Sequence, residues 1–486
     1  MTPTTPEHHG PTAHPDITEK DLRRAALAST LGSALEYYDF ALYSLASALI
    51  FSQLFFTDAD PATGRILAFA TYFIGFAVRP IGGLFFGSLG DRIGRKQVLL
   101  LTVLLMGGAS TLIGLLPTYQ QVGLWAPALL ILLRIAQGFG AGAEQAGAAT
   151  LMTEYAPRRR RGFFASLPFM GIQIGTVIAA LVFFGLLIPD ETVLHGWLWR
   201  VPFLASAVLI AVAVWIRSTL KESPSFAKLE AREQIEEQPL RALLRTSRPS
   251  VLRGIGLRMA ENGGSSIYQA LAVSYVVTVA LANVENPGPV GALSLVCAAI
   301  VGAVTVPVAG RLTDRYGRIP VYRGFAVLQL VLVFPTWWVM STGNVPATIA
   351  AISVALGIGA WGMFGAQGAL MPELFGASHR YTGVSVARET SAVIAGGIAP
   401  LVGSLLLSWF ANSWVPIAIY LAVLTVVTIA TTFVTPETRG RDLDAEEDAL
   451  DEVRAGRSTA LPSSDHNLHP RAATRPGTEQ PLAAQP

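Results

Sequence analysis

Two acidic residues, Glu36 and Asp39, lie three positions apart within a long apolar stretch of the chain, residues 25–55. This spacing places both carboxylates on one face of a helix. A charged side chain at the centre of a bilayer costs about 2.5–3.5 kcal/mol even on lenient scales, so these acids need a partner or a function. Carboxylates that are half-buried in a water-filled cavity hold protons more tightly than exposed ones, so they load and release them near neutral pH. We therefore predict that Glu36 and Asp39 carry protons, with Glu144 and Glu261 of two other apolar stretches as further candidates.

Three arginine side chains also fall inside apolar stretches, at Arg79, Arg134 and Arg258. Arginine remains cationic, and its planar guanidinium offers a two-pronged hydrogen-bonding surface to a carboxylate. These arginines predict a site for a small molecule that carries a carboxylate. The other candidates for contact with it are polar and aromatic residues of the apolar stretches: Gln137, Tyr43, Asn262, Tyr268 and Trp361. The alternative for each charged residue is an ion pair that only locks the helices together, and for the aromatic residues it is packing.

Apolar stretches account for most of the chain, which has 486 residues, is 52% hydrophobic and only 14% charged, and has a mean hydropathy of +0.48. Crossing about 30 Å of hydrocarbon takes roughly 20 helical residues. Twelve stretches reach or approach this length: 25–55, 65–90, 98–116, 124–153, 163–188, 201–217, 252–282, 290–312, 321–340, 347–371, 382–410 and 414–434. The sequence thus predicts an all-α membrane protein with twelve transmembrane helices, whose surroundings are the lipid bilayer.

Basic residues are unevenly distributed between the connections of these stretches. The even-numbered connections carry most of them, including the runs within 92–96, 158–161 and 221–253. The odd-numbered connections offer only Arg65 and Arg200. By the positive-inside rule, both termini and the even-numbered connections are predicted to lie on the cytoplasmic side of the cell membrane.

A charged loop motif occurs twice in the chain. Residues 87–96 read Gly-Ser-Leu-Gly-Asp-Arg-Ile-Gly-Arg-Lys, and residues 310–318 read Gly-Arg-Leu-Thr-Asp-Arg-Tyr-Gly-Arg. Such loops cannot lie in hydrocarbon, and the duplication predicts two pseudo-symmetric six-helix bundles that face each other, which is the build of a transporter. The candidates for gating residues come from both copies: Gly87, Asp91, Arg92, Gly94, Arg95, Lys96, Asp314, Arg315 and Arg318.

The same reasoning divides the chain into five parts. We predict a cytoplasmic N-terminal tail at 1–24, a first bundle at 25–217, a polar cytoplasmic linker at 218–250 and a second bundle at 251–434. Residues 435–486 are acidic at first and then rich in Pro, Ser, Thr and Ala. A composition of this kind cannot bury enough apolar surface to fold, so we predict a disordered cytoplasmic tail.

Several functional classes are not indicated by the sequence. A formal net charge of +2 does not suggest nucleic acid as a partner, and the single cysteine, Cys297, excludes an internal disulfide. We find neither a nucleotide-binding P-loop nor a convincing nucleophile triad, so we expect no enzyme activity. No cofactor and no metal are expected, the proton being the coupling ion, and the chain is expected to act as a monomer.

Two motifs resemble the signatures of a known family. The segment 87–96 and the run Arg-Ile-Ala-Gln-Gly at 134–138 are similar to motifs of the major facilitator superfamily. Further segments resemble its metabolite:proton symporter branch, of the proline/betaine, α-ketoglutarate and shikimate types: 36–40, 79–82, 154–157, 199–203, 222–226 and 380–383. The resemblance implies the major facilitator fold, alternating access by rocking of two bundles, and proton-driven uptake of a small metabolite. Departures occur at Ala143, where the branch usually has Gly, and after Arg318, where the second loop motif lacks its lysine.

Three functions fit these observations. The first is a proton symporter that imports a small organic acid or zwitterion. The second is a proton-coupled antiporter that exports a drug or metabolite, although the fifth stretch lacks the Gly-Pro-rich pattern of the antiporters in that family. The third, from another class, is a transporter-like sensor that binds a solute without moving it.

Overall fold

The computed structural model describes residues 19–93, 95–142, 144–187, 194–218, 243, 247–284, 286–377, 380–443, 445 and 447–456. Within these ranges all regular secondary structure is helical. The first half of the molecule contains six long helices: α1 (Glu19–Leu49), α2 (Pro61–Ala77 continued by Arg79–Ile93), α3 (Arg95–Ile113), α4 (Trp125–Ala141 continued by Glu144–Tyr155), α5 (Arg161–Leu187) and α6 (Arg200–Ser218).

The second half repeats this plan. Its helices are α7 (consecutive segments from Arg248–Leu257 to Val276–Ala280), α8 (Gly288–Tyr316), α9 (Arg318–Ser341), α10 (Val345–Glu373), α11 (Arg380–Trp409) and α12 (Val415–Val434). Among the described residues, nine helices are long and apolar enough to span a bilayer by themselves. The other three are α1, which carries four acidic residues, α3, whose apolar part covers only Leu100–Ile113, and the segmented α7. The prediction of an all-α protein with twelve transmembrane helices is confirmed.

The two halves meet along several pairs of helices, including contacts of α4 and α5 with α10 and of α4 with α11. α5 packs along α8, α2 packs against α11, and α1 packs against α7, whereas α3 and α6 pack against each other within the first half. We call the end of the molecule at which α2 joins α3 and α8 joins α9 the base. At the opposite end, Arg65 Nη1 donates to Thr278 Oγ1 at 2.7 Å, and Asn286 Nδ2 donates to the Leu187 carbonyl oxygen at 3.2 Å. With the ion pairs at the base described below, the halves are in contact at both ends.

Glycines allow the helices that carry buried charge to approach closely. A Cβ atom at Gly138 of α4 would overlap the carbonyl oxygen of Gly75 on α2, and one at Gly142 would overlap the carbonyl oxygen of Arg79. On α5, a Cβ at Gly171 would likewise overlap a backbone oxygen of α1. Small residues at these contacts bring the backbones together, which is common between membrane helices. In this packing, Arg79 of α2 and Arg134 of α4 both lie beside aromatic rings of α1.

Several helices of the second half change hydrogen-bonding pattern near their middle. α7 is interrupted at Arg258 and then winds as a π-helix over Ile267–Ala272 and Val276–Ala280. α10 and α11 contain similar turns at Ala355–Ala360 and Ala392–Gly397. Such bulges free backbone groups and often accompany functional sites. Here they lie on the helices that contribute the buried polar residues of the second half.

The segment after α12 requires a correction. Residues 435–443 and 447–456, which the composition predicts to be disordered, pack against the base and end in a short helix, α13 (Ala449–Arg454). Arg441 is 2% exposed, its Nη1 donates to the carbonyl oxygens of Glu373 and Phe375, and its Nε and Nη2 bond the carboxylate of Glu452. Polar groups of the helix ends at the base bind this segment, so it does not need a large apolar surface of its own. The predicted linker, 218–250, lies mostly outside the described residues.

Candidate functional site

The two acids of α1 lie deep in the first half. Glu36 is 3% exposed and Asp39 is 4% exposed, and both line one cavity, as their spacing predicts. The carboxylate of Asp39 accepts a hydrogen bond from Ser206 Oγ of α6 at 2.5 Å. Ser110 of α3 also lies beside this carboxylate. Asp39 therefore has hydroxyl groups as its neighbours rather than a directly bound cation.

Arg134 of α4 is fully buried and faces aromatic rings. Its guanidinium carbon lies 3.8 Å from the ring centre of Tyr43, whose hydroxyl donates to Thr71 Oγ1 at 2.8 Å. Arg134 Nη1 donates to Gln137 Oε1, while its Nε and Nη2 atoms have no hydrogen-bond partner. Two nitrogen atoms of this buried cation are thus left without a hydrogen-bond partner, packed against Gly75 of α2.

Gln137 connects this arginine to the acid of α1. Its Nε2 donates to Ser110 Oγ at 2.7 Å, and Ser110 in turn lies beside Asp39. Gln137, Ser110 and Ser206 are each 0% exposed. A continuous buried chain of polar side chains therefore runs from Arg134 through Gln137 to Asp39.

Arg79 begins the second segment of α2 and is 4% exposed. Its guanidinium carbon lies 3.9 Å from the ring centre of Phe40 and 4.4 Å from that of Phe76, and its Nε atom has no partner. Among the described residues, neither Arg79 nor Arg134 has a carboxylate oxygen within 4.0 Å. Aromatic faces attract a guanidinium but leave its N–H edge free. The two arginines of the first half are therefore buried without a bound counter-charge.

The charges on α7 are neutralised within the second half. Arg258 Nη2 lies 3.1 Å from Glu261 Oε2 and 3.1 Å from Asn262 Oδ1. Asn262 Nδ2 donates to Ser391 Oγ at 3.0 Å, and Gln367 Nε2 of α10 approaches Glu261 at 3.4 Å. Ligand contact by Arg258 and Asn262 and proton transfer by Glu261 stay predictions, because in this arrangement the residues satisfy one another.

Tyr268 and Trp361 are held by packing. Tyr268 is 0% exposed, and its ring centre lies 6.4 Å from that of Trp337 with an interplanar angle of 27°. Trp361 is 2% exposed and fills the space over Gly302 of α8. The hydroxyl of Tyr268 has no hydrogen-bond partner. For both residues the structure agrees with the packing alternative, and their contact with a ligand stays a prediction.

Two charged residues of α11 belong to the same interior but are not among the sequence candidates. Arg388 is 1% exposed and Glu389 is 5% exposed. The charged groups that act on the Glu389 carboxylate are Arg79 of α2, Arg258 of α7 and the neighbouring Arg388. Glu389 therefore lies where α11 packs against α2 and α7. Their position within an apolar stretch is the signal that could have identified them.

Ion pairs join the two halves at the base. Arg161 Nη1 of α5 lies 3.1 Å from Glu373 Oε1 of α10, and Arg380 Nη1 of α11 lies 3.0 Å from Glu154 Oε1 of α4. Glu373 also accepts from Arg318 Nε at 3.0 Å. The four residues of these two pairs belong to a segment that occurs once in each half, in which an arginine follows a glutamate by seven residues: Glu154 and Arg161 in the first half, Glu373 and Arg380 in the second. That repeat was visible in the sequence, whereas the pairing between the copies was not.

The second loop motif forms part of this network. The carboxylate of Asp314 accepts hydrogen bonds from the backbone N–H groups of Gly162 at 2.7 Å and Phe163 at 2.9 Å, at the start of α5, and from Arg318 Nη1 at 2.8 Å. Arg315 instead lies over the ring of Tyr316, with its backbone carbonyl bound by Arg439. The side chains of the first motif's candidates and of one acid candidate lie outside the described residues: Gly87, Asp91, Arg92, Gly94, Arg95, Lys96 and Glu144.

Two pseudo-symmetric helix bundles, buried charges beside their interface and ion pairs across one end define a membrane transport protein. The family model described as "Sugar (and other) transporter" matches residues 25–255, and the model "Major Facilitator Superfamily" matches residues 265–476. The chain belongs to the major facilitator superfamily. Because this is a family of transporters, the expectation that the protein is not an enzyme is confirmed.

Relatives and solved structures agree with this assignment. The shikimate transporter of Escherichia coli (strain K12) is 37% identical over 412 residues, which cover 82% of this chain and 91% of that protein. The proline/betaine transporter of the same strain is 32% identical over 462 residues, covering 93% of this chain and 90% of that protein. The solved structure of the proton:xylose symporter XylE bound to 6-bromo-6-deoxy-D-glucose superposes with a TM-score of 0.70 at 18% identity, covering 89% of this chain and 98% of that one. The chain is thus a multi-pass membrane transporter of the sugar and metabolite type.

Proposed function

We propose that this transporter imports a small metabolite with a carboxylate group together with a proton. The observation that carries the proposal is the pair of buried guanidiniums, Arg79 and Arg134. Both stack on aromatic rings and keep N–H groups without a partner. A buried cation is costly unless an anion compensates it, and a guanidinium fork matches a carboxylate in shape and charge.

The relatives support a carboxylate as the recognised group. Shikimate, proline and betaine, which the names of two relatives state as substrates, differ in ring structure and in net charge. Each of them carries one carboxylate. A site that binds this group through Arg79 and Arg134 would leave the remainder of the molecule to be selected by neighbouring rings such as Phe40, Phe76 and Tyr43.

Asp39 is the first choice for the proton carrier, with Glu36 beside it. The polar chain through Gln137 and Ser110 connects Asp39 to Arg134, so a change of charge at either end alters the hydrogen bonding of the other. Protonation of Asp39 removes its attraction for Arg134 and leaves that guanidinium to the substrate carboxylate. Substrate binding and proton binding would then favour each other, which is the requirement for symport.

We further propose that the base is the cytoplasmic end, with both termini in the cytoplasm. The Arg161–Glu373 and Glu154–Arg380 pairs would close this end, and Asp314 and Arg318 would control its opening together with their counterparts in the first loop motif. Both bundles that would enclose the substrate's path are formed by the same chain, so a monomer suffices for alternating access.

Uptake into proteoliposomes tests this function. Purified protein is reconstituted, and an inward proton gradient is imposed with labelled shikimate, glycine betaine or xylose outside. Xylose is the neutral control, because it offers no carboxylate to the two arginines. We expect accumulation of shikimate or betaine above equilibrium, loss of that accumulation when the gradient is collapsed, and none for xylose.

The other outcomes identify the alternative functions. Loss of preloaded substrate against its gradient under the same proton gradient would identify an exporter. Saturable binding without flux in either direction would identify a sensor. Accumulation of xylose but of neither carboxylate would contradict the role proposed for Arg79 and Arg134.

A further inference from the structure

A small, partly open cavity lies between α1, α3 and α6 of the first half. Its volume is about 20 Å³, and its polar lining consists of Glu36, Asp39 and Ser206. A site that holds a water molecule needs roughly 10–15 Å³ and two to four polar partners. The cavity meets both requirements, so it is suited to water.

The cavity extends from Asp39 toward the base. Its wall includes Gly32 on α1 and Ala213 on α6. Gly32 lies seven residues from Asp39, and Ala213 lies seven residues from Ser206, which corresponds to about 10 Å along each helix. α1 and α6 run in opposite directions, and in both the shift is toward the base. At Gly32 the wall has room for a side chain, because a Cβ atom built there meets nothing within 4 Å.

This cavity is separate from the interface between the halves. α3 and α6 pack on helices of the first half, and all lining residues belong to α1, α3 and α6. When two bundles rock against each other, a cavity inside one bundle keeps its shape. The charged groups nearest to Asp39 are Glu36 on the same helix and Arg134 on α4, while α3 and α6 contribute the hydroxyls of Ser110 and Ser206.

We propose that water in this cavity carries the coupling proton between Asp39 and the base, apart from the substrate's path between the halves. The step is a simple proton transfer. The O–H bond of protonated Asp39 breaks, and a cavity water gains the proton. The hydronium then transfers a proton to a second water on the Gly32 side and becomes water again, while Asp39 remains as a carboxylate that accepts from Ser206. The inference rests on the proposed function in taking Asp39 as the proton carrier, but the existence of the water path can be tested without transport.

The first experiment measures access of water-sized ions to the cavity. Gly32→Cys is made in a Cys297→Ser background, since Cys297 is the only native cysteine. The matched control is Gly108→Cys on α3, where a Cβ atom also meets nothing within 4 Å but which is not part of the lining. Silver ion is added to inverted membrane vesicles, and the fraction of blocked thiol is counted by mass spectrometry after maleimide labelling. We expect at least tenfold faster blocking at position 32, and equal rates at both positions would overturn the water path.

The second experiment fills the cavity. Gly32→Leu occupies the open space, and Gly108→Leu is its control. With labelled shikimate as the probe, we expect Gly32→Leu to slow proton-driven accumulation at least tenfold while exchange of internal for external shikimate stays within twofold, because exchange does not require release of the proton. Gly108→Leu should leave both rates unchanged.

Two results would contradict the proton path. Wild-type accumulation by Gly32→Leu would show that the proton leaves elsewhere, and an equal fall in accumulation and exchange would show that the cavity serves packing. If the wild-type protein moves no shikimate at all, the proposed function fails for that substrate. The silver-ion experiment still decides whether the cavity admits ions from the base.

Discussion

The guanidinium of Arg161 and the carboxylate of Glu373 form a buried ion pair between the two halves, with Nη1 and Oε1 3.1 Å apart and side chains only 5% and 0% exposed. Glu373 also accepts hydrogen bonds from Arg318 and from Thr438 Oγ1, the latter at 2.9 Å in the segment after α12. The carbonyl oxygen of Arg441 binds Arg161 at 2.9 Å. One carboxylate thus joins α5, α9, α10 and the C-terminal segment, which makes Glu373 the centre of the closed base.

Glu373→Gln is expected to open the base and to lower stability. Removing one member of a buried ion pair leaves the partner charge uncompensated and costs about 3–5 kcal/mol. We expect a lower thermal unfolding temperature and a longer distance between spin labels at Arg159 and Tyr316, two exposed positions on opposite halves of the base. The labels are attached to R159C and Y316C in a Cys297→Ser background and measured by pulsed electron paramagnetic resonance.

The control for this variant is Asp451→Asn, which breaks an exposed pair with Arg454 whose side chains are 47% and 62% exposed. Exposed pairs contribute about 0–1 kcal/mol, so neither readout should change. An unchanged spin-label distance in Glu373→Gln, at full expression, would show that other contacts keep the base closed.

Asp314→Asn is expected to slow transport without reducing expression. The carboxylate of Asp314 caps the start of α5 through the N–H groups of Gly162 and Phe163. A neutral amide loses the attraction of the helix N-terminus for a negative charge. By the repeat, Asp91→Asn should act in the same way at the start of α11, although the side chain of Asp91 lies outside the described residues. Uptake normalised to protein abundance measures both, and normal transport by Asp91→Asn would remove the gating role of the first motif.

Much of the fold follows from apolar length and from the repeated loop motif. Twelve stretches of suitable length predict the twelve helices, since each backbone in hydrocarbon must satisfy its own hydrogen bonds. The helix ends are less predictable. α1 begins at Glu19 rather than near residue 25, because Leu22 and Ala26 pack on Met152 and Phe164 at the base. Hydropathy does not detect a turn of helix that is stabilised by a neighbour.

The site is predictable in its residue types but not in its pairs. Buried charge identifies Glu36, Asp39, Arg79 and Arg134 as residues that need an explanation. Sequence spacing could have indicated the Arg258–Glu261 pair, which is three residues apart on α7. Arg161 and Glu373 are 212 residues apart, and only the folded arrangement of two halves brings them together. The buried role of Arg441 was missed for the same reason, because composition describes a segment alone and not the helix ends that bind it.

Asp39→Asn is expected to abolish accumulation driven by the proton gradient while retaining exchange of substrate. Asparagine keeps the size and a hydrogen-bond acceptor for Ser206 but cannot carry a proton. Glu36→Gln tests the neighbouring acid in the same way. Proteoliposome accumulation and exchange are measured for both with labelled shikimate. Full proton-driven accumulation by both variants would exclude the acids of α1 as proton carriers and leave Glu144 and Glu261 as candidates.

Arg134→Lys is expected to weaken substrate binding at least tenfold, a loss of about 1.4 kcal/mol. Lysine keeps the positive charge but lacks the planar fork that can bind both oxygens of a carboxylate. Its ammonium would also lose the stacking over Tyr43 and the hydrogen bond to Gln137. Calorimetric titration of the detergent-solubilised variant with shikimate gives the affinity.

Arg253→Lys is the control, because Arg253 donates to the Val434 carbonyl oxygen away from the buried charges. Unchanged affinity in Arg134→Lys would mean that this arginine braces the bundle, and the inference of a carboxylate substrate would then depend on Arg79 alone.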